Sequence, residues 1–179
     1  MRILKISALA LAGVLSLGAC DRDGGVGPDD LFQGQFEGQI TGTLNGSLDG
    51  EALSGSTVLN LHDIILLTDY QQGIEIAVYH STAEFTEGRY SIGELQFDDE
   101  IVAYVRLLDT GEYFDSVDGV IDLEDVRDGG MIGTLSFTGE SDETPGEFVD
   151  VDVAFYTDYD GRIDFNLSPS FSAGAKASR

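Results

Sequence analysis

The chain of 179 residues carries 33 acidic against 9 basic side chains, a formal net charge of −24, with 42% hydrophobic residues, one cysteine and no tryptophan. Such a surface repels nucleic acid and anionic lipid headgroups and attracts cations and basic partners, which sets nucleic-acid binding aside. The hydrophobic fraction suffices for a core and argues against global disorder, and a lone cysteine excludes an intrachain disulfide.

Residues 1–19 read as an export signal: Arg2 and Lys5, an apolar run from Ile6 to Leu17, then small residues leading to Cys20. The run of 12 residues falls short of the ~20 that a membrane-spanning helix needs. Leu17-Gly18-Ala19-Cys20 resembles the lipobox of bacterial lipoproteins. The resemblance implies cleavage before Cys20, lipidation of that residue, and a domain tethered to the cell envelope through several acyl chains, a stronger hold than one chain provides. Asp21 follows directly, and the choice between inner and outer membrane stays open. Arg2 and Lys5 would leave with the signal, moving the formal charge from −24 to −26 and leaving Lys176 as the one lysine. That composition suits a protein working in concentrated salt and equally an ordinary acidic exported protein.

Residues 20–34 continue as a Gly- and Asp-rich flexible tether. From Phe36 to Leu48 every even position is apolar or glycine and every odd position polar, the alternation that sends one set of side chains to each face of a strand. The glycines on its apolar face, Gly42 and Gly46 among them, predict a strongly coiled first strand that crosses between sheets. The same rhythm recurs at Ile74/Ile76/Val78, Ile101/Ala103/Val105/Leu107, Val117/Gly119/Ile121/Leu123, Met131/Gly133/Leu135/Phe137, Val149/Val151/Val153/Phe155 and Ile163/Phe165/Leu167. Turn chemistry separates the runs at Asp49-Gly50, 69–73, 86–88, 109–111, 128–130, 144–146 and Asp160-Gly161. No mature segment keeps a helical period. The expectation is one all-β domain over 35–167, an antiparallel β-sandwich of about nine strands, with a closed or partly closed β-barrel as the alternative. Residues 168–179, small and polar, read as a loose tail.

Asp158, Asp160 and Asp164 surround Gly161 as calcium ligands would, and Asp160-Gly161-Arg162-Ile163-Asp164 repeats the pattern of Asp118-Gly119-Val120-Ile121-Asp122. Against an EF-hand loop, Tyr156 occupies the first ligand position and Leu167 the last, so two key oxygens are missing. The competing reading is a hairpin turn at 158–161 between Phe155 and Ile163. Asp158, Asp160 and Asp164 are the first choice for calcium, Asp115, Asp118 and Asp122 the second, and no other cofactor is expected.

His62 and His80 are the only histidines, too few with one cysteine for a tetrahedral zinc site. No Gly-x-Ser-x-Gly context appears, and each histidine reads as a sheet residue, so no catalytic residue is assigned. Tyr70, Tyr113 and Tyr159 fall beside predicted turns, where a small ligand could stack, although packing over the rim serves equally.

Gly46-Ser-Leu-Asp-Gly-Glu-Ala52, Gly88-Arg-Tyr-Ser-Ile-Gly93, Gly119-Val-Ile-Asp-Leu123 and Ile132-Gly-Thr-Leu-Ser-Phe-Thr138 together resemble small bacterial lipoproteins of unknown function (DUF6252-like). The resemblance covers most of residues 36–138 and brings no activity, cofactor or catalytic residue. It implies that Asp122 stands on a solvent-facing strand position. The functional expectation is a lipid-anchored, non-catalytic interaction or structural module, with membrane, envelope proteins or cations as partners and the oligomeric state open. A small-ligand or calcium-binding β domain is the alternative, and a hydrolase the second.

Overall fold

The computed structural model describes residues 27–57, 63–80, 84–94, 101–127 and 130–163. The expected signal (1–19), Cys20, His62, Asp164 and the expected tail (168–179) lie outside the described residues. After a short 3-10 turn at Pro28–Asp30 come ten strands: β1 (Gln35–Gly42), β2 (Gly46–Thr57), β3 (Asp63–Asp69), β4 (Ile74–His80), β5 (Gly88–Ile92), β6 (Ile101–Leu107), β7 (Tyr113–Arg127), β8 (Gly130–Ser141), β9 (Phe148–Tyr156) and β10 (Asp158–Ile163). Eight of them form a closed antiparallel barrel in the order β1-β9-β8-β7-β6-β4-β3-β2, and β2 returns to β1. The barrel alternative is therefore the architecture, in place of the preferred sandwich. Closure rests on β1, which pairs with β9 from Gln35↔Tyr156 to Gly42↔Val149 and with β2 from Gln35↔Glu51 to Ile40↔Gly46.

The run expected as one coiled strand is a hairpin, β1 and β2 joined at 43–45. Its register pairs residues of like parity, Phe36↔Gly50 and Gly38↔Leu48, so the even positions stay inward through the turn and the alternation never breaks. Gly42 takes the turn with φ +101°, a conformation that suits glycine. Close approach is found both at Gly42, against the Phe148 carbonyl, and at Gly38, where a Cβ would run into the Asp152 carbonyl and Val153 of β9. Asp49-Gly50, expected as a turn, lies inside β2.

Phe36, Ile40, Leu48, Ile65, Leu67, Ile76, Val78, Val105, Phe114, Ile121, Leu135, Phe137, Val151, Val153 and Phe155 are among the buried residues that fill the barrel. An eight-stranded barrel has an interior just wide enough for side chains, and burying each large one contributes roughly 1.5–3 kcal/mol. Two bulges on β7, at Ser116/Asp118 and Leu123/Asp125, change which parity faces inward. Phe114 and Ser116 are buried before the first, Ile121 and Leu123 after it, and Val117, expected inward, is half-buried. β7 and β2 each outrun one neighbour and take a second. β5 pairs with β7 at 119–123, beyond the three-residue β6 ladder. β10 pairs in parallel with β2 from Leu53 onward, beyond β1. At the first fork the Ser116 hydroxyl accepts from the Ala103 N–H of β6 (3.1 Å) and donates to the Gly93 carbonyl just after β5 (2.7 Å), tying β7 to both strands where the β6 ladder ends.

Candidate functional site

Outward positions on β1, β9, β8 and β7 fall into two rows across the barrel wall. Thr41, Asp150, Thr138 and Asp118 form one; Gln39, Asp152, Ser136 and Val120 form the other, two residues along each strand. Adjacent strands lie about 4.8 Å apart, so each row spans roughly 15 Å. The rows line a shallow open groove of about 450 Å³. Their inward neighbours Ile40, Val151 and Phe137 are core residues, and the pleat therefore turns hydroxyls, an amide and three carboxylates to solvent. Thr138 Oγ1 donates to Asp150 Oδ1 at 2.6 Å. The groove is rich in hydrogen-bond acceptors and negative charge, and its chemistry suits hydrogen-bonding or cationic groups on a partner.

Of the expected aspartate trios, Asp115, Asp118 and Asp122 are spread along β7, and Asp158 and Asp160 lie on β10. Asp158 lies at the start of β10, where its Oδ1 accepts from Gln33 Nε2 (3.1 Å) and from the Tyr159 N–H (3.0 Å). Asp160 is exposed two residues on. Residues 158–161 do not form the expected hairpin turn, because β9 reaches β10 through Thr157 alone and β10 pairs with β2. Gly161, with φ +66°, marks an irregularity in that pairing. Asp115, Asp118 and Asp122 sit along β7 at steps of three and four residues, roughly 10 and 13 Å at strand rise, too far apart to share one ion. Asp118 joins the groove. Asp122 is half-exposed beside Arg89 at 3.9 Å, on the solvent side as the resemblance implied. Among the described residues no group of three His, Cys, Asp or Glu side chains is placed to hold a metal ion.

His80 is buried at the end of β4, edge-to-face with Phe85 (5.5 Å) and Tyr90 (6.1 Å). Tyr70 and Tyr159 are exposed, whereas Tyr113 is buried. Tyr113 belongs to a second cluster on the outer wall, with Ile64, Ala77, Tyr79, Val102, Tyr104 and Ile163. Tyr79, Tyr104 and Tyr113 stack edge-to-face in sequence, centroids 6.2 and 5.3 Å apart, and the Arg106 guanidinium lies 5.8 Å from the Tyr113 ring centre. Arg106 Nη1 also meets Glu75 Oε1 at 3.5 Å, both side chains largely buried. Burial raises the Glu75 carboxyl above its usual 4.5, and the neighbouring Arg106 charge offsets only part of that rise. Burial raises the Tyr79 and Tyr104 phenols as well, Tyr104 further through the Glu75 charge. This patch escaped the sequence reading. Its signal was present in Ile74-Glu-Ile-Ala-Val-Tyr79 and Ile101-Val-Ala-Tyr-Val105, runs apolar on both parities, as strands covered on both faces are.

No helix among the described residues is long and apolar enough to cross a membrane. Comparison with family models, curated proteins and solved structures found no match.

Proposed function

We propose that this chain is a lipid-anchored protein of the cell envelope, held through Cys20, whose barrel serves as a non-catalytic interaction or structural module resembling the small lipoproteins named above. The observation carrying the interaction reading is where the groups available for contact lie. Packed side chains fill the barrel interior, and the polar rows from Gln39 to Val120 stand on its outer wall, so a partner is met from outside. The acidic groove suits a basic or hydroxyl-rich surface.

The test is affinity capture from envelope extracts with the wild-type protein and with Asp150→Lys/Asp152→Lys. A partner retained by wild type and lost with the double variant is the expected result. Capture indifferent to the substitutions would remove the groove from the reading. Cys20→Ala tests the anchor independently, because the variant should leave the membrane fraction.

A further inference from the structure

The chain enters the barrel at one defined end. The Gly34 N–H donates to the Tyr156 carbonyl (2.7 Å), and the Gly34 carbonyl accepts from the Ala52 N–H (2.9 Å). Gln33 Nε2 bonds Asp158 (3.1 Å), which pins the entry segment beside β10. Two of the large apolar side chains most exposed to solvent flank this junction: Phe32, 77% exposed, and Tyr159, 53%.

Phe32 is 12 residues beyond Cys20; with Pro28–Asp30 in a 3-10 turn, its reach falls short of the root-mean-square span of about 20 Å of a fully flexible tether of that length. β8, with 12 residues, sets a barrel height of roughly 30 Å at normal rise and tilt. Bringing the opposite end to the attachment point would need a tether stretched toward its limit of about 40 Å. Resting on the lipid-anchor reading above, we infer that the entry end faces the bilayer, with Phe32 and Tyr159 seated in the interface of a zwitterionic membrane. Aromatic rings favour that layer. Asp29, Asp30, Asp158 and Asp160 at the same end oppose an anionic surface.

The absence of native tryptophan makes single replacements direct reporters. Full-length lipidated Phe32→Trp, Tyr159→Trp and Phe148→Trp, the last at the far end, are reconstituted into phosphatidylcholine vesicles carrying brominated lipid. Co-flotation reports the anchor separately from the orientation. The expected result is flotation of all three, with quenching at 32 and 159 at least twofold greater than at 148. Equal quenching on floating vesicles overturns the orientation and leaves the anchor standing. Failure to float overturns the anchor and the orientation with it. Either entry-end reporter suffices if the other variant misfolds.

Discussion

Thr157, the link between β9 and β10, ties β8 to β2 through one hydroxyl. Its Oγ1 accepts from the Met131 N–H and donates to Ser54 Oγ, each at 2.8 Å, with all of these groups buried. Thr157→Val keeps the shape but strands a buried N–H, so an unfolding cost of about 1–3 kcal/mol is expected. Thr138→Val, which removes the exposed bond to Asp150, should cost no more than about 0.5 kcal/mol. Urea unfolding of the two variants measures the contrast; equal losses would contradict it. Glu75 gives a pH prediction. Its folded-state pKa is raised above 4.5, so across that window the native state binds more protons than the unfolded chain. The group's contribution to stability therefore falls as pH rises from 4.5 through the raised value. Relative to wild type, Glu75→Gln should gain stability over that interval and then level off. Urea midpoints taken across pH should show the widening gap, and a constant gap would refute it. Neither residue announced its part in the sequence, because a lone Thr or Glu does not reveal which residue another strand sets against it.

At the scale of the element, the glycines separate turn from wall. Gly38→Val should destabilise by about 1–3 kcal/mol or more, since the added side chain meets the β9 backbone rather than a yielding side chain. Gly42→Val should also destabilise, because the position holds positive φ and lies against the Phe148 backbone. Gly46→Val, facing only the end of Gln72, should be nearly neutral. Thermal unfolding of the three orders them, and a Gly46 variant as damaged as the other two would overturn the assignment. The alternation was legible in most strands, though not in β3 or β5, and the β1–β2 turn was hidden because an odd loop of three residues preserves parity. The β7 bulges were hidden for the opposite reason: one extra residue shifts the inward set, and a local pattern reads the shift as noise.

For the molecule as a whole, charge is the dominant exposed property. A formal −24 repels itself in the compact state, and molar salt shortens the screening length to about 3 Å. The melting midpoint should therefore rise with salt, by about 4 °C per kcal/mol of repulsion relieved in a domain of this size. A midpoint unchanged between low and molar salt would show that the acidic groups already stand too far apart to matter. The groove has the same origin: β1, β9, β8 and β7 each expose a polar parity, and the sheet brings three of the 33 acidic groups together.

The amino-acid sequence by itself determined the all-β class, the inward face of most runs and the sign of the surface charge, because period two and composition are local properties that need no partner. It also named Asp118, without showing that Asp150 and Asp152 stand beside it. Tertiary structure decided that the sheet closes, that β10 lies parallel to β2, that Tyr79, Tyr104 and Tyr113 form a buried outer cluster, and that Asp150 and Asp152 share a groove with Asp118. Each of these depends on which strand lies beside which and in what register. Pairing brings together residues up to more than a hundred positions apart, and a pattern read along one strand carries no record of its neighbour.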